Sequence, residues 1–176
     1  MGATTAASPA SIAEPRSEGF ERVRAVLQTL AHGHDPLWLT SSARSAQEAA
    51  DVLGVALGQI AKSVVFRRKS DDGAVLVIAA GDRRVDERKL QVHTGPLGRA
   101  DADFVKARTG FSIGGVSPLG FAPAQGWSAP QLFIDETLFR FDTIWAAAGH
   151  PNGVFQMTPQ QLVALTGAPV VEVMQS

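Results

Sequence analysis

The sequence predicts one α+β domain, a mixed and mostly antiparallel central sheet surrounded by helices. Three observations carry that prediction. Helix-like and strand-like segments are interspersed without repeated βαβ units. Two β-rich runs, 62–66 and 74–80, are joined by a polar segment ending in Asp72-Gly73, a strong hairpin signal. The 176 residues, 45% hydrophobic and 19% charged, suit one core, and no internal repeat or linker interrupts them.

Residues 1–18 are rich in Ala, Ser, Thr and Pro and read as a disordered lead-in, with the folded domain at 19–176. Phe20, Val23, Val26, Leu27 and Leu30 recur at helical spacing between Ser17, an N-cap, and Gly33, a stop. Leu37 to Thr40 reads as a short strand. Ser45 with Gln47-Glu48 opens a second helix that Gly54 ends. After the hairpin, Asp86 to Leu90 and Asp101 to Lys106 read as short helices with acidic starts. Leu132 to Ile134 and Val154 to Met157 read as strands. Thr158-Pro159 starts a last helix through Leu165, and Val170 to Val173 closes the chain as a strand.

Composition closes several chemistries. Cysteine is absent, which excludes disulfides, thiolate metal sites and a cysteine nucleophile. His32 and His34 lack a third ligand nearby, so no metal is expected, and no cofactor motif is present. The first residues hold no signal-peptide core and the apolar stretches are broken by Gly and Pro, so the expected location is cytoplasmic, with no membrane contact. The net charge of −1 argues against a broad nucleic-acid footprint. A local one remains open, because Lys62, Arg67, Arg68, Lys69, Arg83, Arg84, Arg88 and Lys89 outnumber the acids among them; a solvated strand-and-turn surface explains the same cluster.

Residues 109–134 and 143–171 contain no charged side chain and are dense in Gly and Pro. They suggest loops folded into a neutral pocket. Within them, Gly114-Gly115-Val116-Ser117-Pro118 has paired glycines that let a ligand approach the backbone and a proline that stiffens the turn. A tight connection between buried strands is the competing explanation. No Ser-His-Asp arrangement can be assembled around Ser117.

Three segments in order, Gly58-Gln59-Ile60-Ala61-Lys62-Ser63-Val64-Val65-Phe66, Gly114 to Gly120, and Phe133-Ile134-Asp135-Glu136, resemble the YbaK/prolyl-tRNA synthetase-associated editing family over roughly residues 20–173. That resemblance implies an enzyme, an aminoacyl-tRNA deacylase acting on the aminoacylated 3′ end of tRNA, commonly tRNA for proline, with prolyl-tRNA synthetase or an elongation factor as possible partners. It implies that Lys62 contacts the phosphate or ribose of the terminal nucleotides. Gly114, Gly115 and Pro118 would shape a loop whose backbone positions the attacking water, with Val116 and Ser117 against the substrate. Asp135 would meet the substrate amino group, although a strand-end cap explains it equally well. His150 and Asn152 would read the amino acid or ribose, or simply form a turn. The segment 144–153 looks closer to branches that remove alanine, 2-aminobutyrate or another small residue than to the branch that removes cysteine from tRNA for proline. The alternatives are that cysteine deacylase and a non-catalytic module that binds tRNA ends or a synthetase.

Overall fold

A computed structural model describes residues 17–41 and 43–176. The expected lead-in therefore lies almost wholly outside the described residues. Its last two positions are structured. Ser17 caps helix α1 (Glu18–Thr29), its Oγ accepting from Phe20 N at 3.1 Å, and Phe20, Val23 and Leu27 are buried beneath it.

The short strand β1 (Leu37–Trp38) leads to α2 (Ala46–Leu53). Ser45 and Glu48 form a capping box at its start, and Gly54, at φ +71°, ends it in a left-handed conformation suited to glycine. The hairpin follows as β2 (Ile60–Arg68), longer at both ends than the expected 62–66, and β3 (Ala74–Ala80), with the expected bounds. Then come α3 (Glu87–Thr94), β4 (Leu97–Arg99) and α4 (Ala102–Thr109), with Asp86 and Asp101 as N-caps. Next are β5 (Gln131–Asp135), β6 (Ile144–Ala147), β7 (Gly153–Met157), α5 (Pro159–Thr166) and β8 (Val170–Val171). Strands β4 and β6 have no clear sequence signal: one is three residues long, the other an Ile-Trp-Ala-Ala run without alternation.

One eight-stranded sheet runs in the order β1-β7-β6-β2-β3-β5-β8, with β4 also paired to β2. Pairs β1–β7, β6–β7, β2–β3 and β2–β4 are antiparallel, while β2–β6, β3–β5 and β5–β8 are parallel. Strand β3 is buried along its whole length, because both sheet faces are covered. Leu76, Ile78 and Ala80 join Phe20, Leu27, Phe111 and Phe155 on one face. Val75, Val77 and Ala79 meet Leu90, Phe133 and Val173 on the other. A third cluster, under α2, packs Ala49 and Ala50 against Leu39, Ile60 and Val154.

One feature of the topology positions the site. On the side away from β3, strand β2 pairs with β6 only at Ile60 and Ala61, and with β4 only from Phe66 to Arg68. Residues 62–65 have no strand neighbour on that side among the described residues, so the sheet splits there.

Candidate functional site

A cavity of about 390 Å³ occupies the split. Successive β2 residues line it from both faces of the sheet, as alternation along a strand requires: Lys62 and Val64 from one, Ala61, Ser63 and Val65 from the other. The loop before α2 contributes Arg44, and α4 contributes Val105. Beyond Val65 and Ala100 a second hollow of about 430 Å³ opens alongside β4.

Lys62 is half-buried. Burial pushes its ammonium below the ordinary lysine value and the Arg84 charge adds to this, while Asp82 and Asp135 oppose both. Asp82 is itself held by Arg140 through two contacts of 2.7 and 3.0 Å.

The Gly114–Pro118 loop presents only part of itself to the cavity. Gly114, at φ +93°, and Val116 line it. The Gly115 amide donates to Ser112 O at 3.0 Å. A Cβ on Gly115 would lie 2.7 Å from both the N and Cα of His150, so the second glycine serves close backbone packing rather than ligand access. Ser117 is fully buried, its Oγ accepting from Leu119 N at 3.2 Å. Pro118 is buried beside it. Neither lines the cavity.

His150 and Asn152 build the turn that supports this loop. His150 stacks on Trp38, with ring centroids 4.6 Å apart, and its Nδ1 accepts from Asn152 N at 3.0 Å. Asn152 donates through Nδ2 to Leu39 O at 3.0 Å and accepts from Leu39 N at 2.7 Å. The two residues therefore act as turn and anchor, and neither lines the cavity.

Burial, assisted by the Arg44 charge, holds the His150 imidazole below its ordinary pKa of 6.5. The folded state therefore favours neutral His150 and the unfolded chain takes up the proton first. The resulting stability is present above pH 6.5 and is lost as the pH falls through the folded value. A nuclear magnetic resonance titration of the His150 ring is expected to give a midpoint under 6.5, and a midpoint at or above it would contradict this environment.

Asp135 has an internal role. It is fully buried; Oδ2 accepts from Ala80 N at 3.0 Å and Thr137 Oγ1 at 2.7 Å, and Oδ1 accepts from Thr137 N at 2.8 Å. It caps the 3₁₀ turn Glu136–Arg140 and does not line the cavity. Three protein donors on its two oxygens are what the strand-end cap reading expects of Asp135.

The structure thus brings together Lys62, Gly114 and Val116, and places Gly115, Ser117, Pro118, Asp135, His150 and Asn152 outside the cavity wall. It adds Arg44, Ser63, Ile113 and Trp145, which sequence reasoning passed over. Ser63 had a signal, since it follows Lys62 on a strand. Its Oγ is the buried side-chain polar atom left without a hydrogen-bond partner among the described residues. Arg44 had none, standing in a turn far from the other motifs.

The basic cluster from 62 to 89 is not one track. Arg67 and Arg68 pair with Asp72 and Asp71 at the hairpin turn, and Lys89 pairs with Glu172. Arg83 and Arg84 follow the other end of β3, roughly 20 Å of strand away. Among the described residues no group of three or more His, Asp or Glu is placed to hold a metal, and no helix is long and apolar enough to cross a membrane.

The model of a family described as the aminoacyl-tRNA editing domain matches residues 40–165. The uncharacterised protein YwhH of Bacillus subtilis (strain 168) is 38% identical over 124 residues, 70% of this chain and 74% of that protein. The proline–tRNA ligase of Pelotomaculum thermopropionicum is 40% identical over 83 residues, which is 46% of this chain but 14% of the ligase. A crystal structure solved as a candidate trans-editing enzyme for prolyl tRNA synthetase superposes with a TM-score of 0.81 at 36% identity, covering 92% of this chain and 100% of that one. The crystal structure of hypothetical protein APE2540 superposes at 0.77 with 26% identity, over 88% and 99% of the two chains.

Proposed function

Because this chain belongs to the aminoacyl-tRNA editing domain family, we propose that it deacylates wrongly charged tRNA in trans, acting on tRNA for proline that carries alanine, 2-aminobutyrate or another small amino acid. The observation that carries the reading is convergence: Lys62, Gly114 and Val116, distant in sequence, line one cavity of a size suited to a small ligand. The segment shared with proline–tRNA ligases supports tRNA for proline as the acceptor. Ala61, Val65, Val105, Val116 and Ala146 supply short aliphatic walls that suit a small side chain.

In this reading water attacks the ester carbonyl and the tRNA ribose oxygen leaves. The negative charge that develops on the carbonyl oxygen needs a preorganised donor. Gly115 N–H is engaged with Ser112 O, so we assign that role to the Val116 amide on the cavity wall. Lys62 places its ammonium by the phosphate or ribose of the terminal nucleotides. The wall carries Ser45 and Ser63 but, among the described residues, no histidine to activate either, so the protein supplies orientation, and the ribose hydroxyl next to the ester assists the water.

Release of amino acid from tRNA for proline charged with alanine, 2-aminobutyrate, cysteine, serine, threonine or proline tests the proposal. Rapid release of the small non-cognate residues with sparing of proline is expected. Release of none would end the hydrolase reading, and binding without release would make the chain a non-catalytic module. Lys62→Ala is expected to lower kcat/KM at least about tenfold, the effect of losing one charge-assisted contact. Wild-type kinetics in that variant would remove Lys62 from the site.

A further inference from the structure

The geometry points to Arg44 as the residue that grips the phosphate of the substrate's 3′-terminal nucleotide, from a different wall of the cavity than Lys62; the assignment rests on the editing reading above. Arg44 stands in the loop before α2 and lines the cavity mouth. Its backbone is held in place: its amide donates to Glu48 Oε1 at 2.9 Å, and the preceding Ala43 amide donates to Pro151 O at 2.8 Å. The Arg44 carbonyl lies beside Gly114, 4.0 Å from where a Cβ there would stand. The residue is therefore anchored next to the loop that we assign to the ester.

Its side chain, by contrast, is exposed, and no carboxylate among the described residues pairs with it. Arg24, Arg67, Arg68 and Arg140 each have one. Glu48, the acid nearest in sequence, uses Oε1 on the Arg44 and Ser45 amides at 2.9 and 3.2 Å instead. Two further acids stand near Lys62, and neither offers Arg44 a partner. Asp82 is held by Arg140, and Asp135 is buried behind its own cap.

An unneutralised guanidinium carried on a fixed backbone at the mouth of an aliphatic cavity suits an anion arriving with the ligand. On an aminoacylated tRNA end the anions are phosphodiesters. The planar guanidinium matches two phosphate oxygens at once, which a lysine cannot do. Lys62, half-buried on the sheet, is then left for the ribose end of the same nucleotide.

Three substrates carrying the same amino acid separate this role from a structural one: charged tRNA for proline, 3′-O-aminoacyl adenosine 5′-phosphate, and 3′-O-aminoacyl adenosine without the phosphate. Arg44→Ala is expected to lower kcat/KM roughly tenfold on the first two, through KM, and to leave the third unchanged. Arg44→Lys should recover part of the loss. The slope of log binding against log salt for tRNA should flatten by about one contact. Equal losses on all three substrates, or no loss on any, would overturn the assignment of Arg44 and leave deacylation intact. A wild type that hydrolyses none of them would overturn the editing reading and this assignment together.

Discussion

Gly115→Ala is expected to cost a hundredfold or more in kcat/KM for deacylation, the largest single effect anticipated in the loop. The new methyl would stand 2.7 Å from two backbone atoms of His150, and no rotamer change can move backbone out of the way. Either the loop or the turn must shift. The turn is held by Trp38 stacking on His150 and by two Asn152–Leu39 hydrogen bonds, so the displacement falls largely on Gly114 and Val116 at the cavity wall. A shift near 1 Å in groups that position a reacting ester is worth about a hundredfold. The overpacking should also destabilise the fold by roughly 1–3 kcal/mol. Steady-state kinetics at a temperature where the variant is folded give the answer. Wild-type kcat/KM would mean that the His150 turn does not set the position of the loop.

Asp135→Ala should show the reverse pattern, a large loss of stability with modest effect on chemistry. The substitution leaves the Ala80 amide and the Thr137 amide and hydroxyl without their acceptor. Unsatisfied buried groups cost about 1–3 kcal/mol each, and relaxation shares part of that, so a loss of about 3 kcal/mol is expected. For a domain of this size that lowers the Tm by roughly 6–12 °C. Asp135→Asn keeps an acceptor and should lose less. If Asp135 instead met the substrate ammonium, Asp135→Asn would raise KM steeply with little change in Tm. Thermal unfolding and kinetics of the two variants decide between these outcomes.

Elements with local signals were readable before the structure. Ser17, Ser45, Asp86, Asp101 and Thr158 each cap the helix they were expected to start. The hairpin forms around its Asp-Gly turn with the register Lys62↔Ala79. Strand β8 is shorter than the 170–173 run, since Val173 leaves the ladder and is buried as a core side chain instead. Parallel pairing of β2 with β6 was not readable, because it joins segments more than eighty residues apart and no local preference encodes the partner.

The site divides along the same line. Lys62 and the glycine–proline loop stood out only through their order along the chain, because a strand lysine or paired glycines before a proline are each explained as well by plain structure; of these residues Lys62, Gly114 and Val116 line the cavity. Asp135, His150 and Asn152 stood out too, and the structure gives them supporting roles: a carboxylate that caps, an imidazole that stacks, an amide that ties a turn to Leu39, just after β1.

By itself the sequence determined the α+β class, the helix starts, the hairpin and the family, all of which depend on short-range capping, periodicity and motif order. Only the tertiary structure decided which polar residues face the cavity. That outcome depends on where β6 and β4 leave β2 unpaired, a long-range pairing that opens the sheet beside Lys62 and brings Arg44 to its edge.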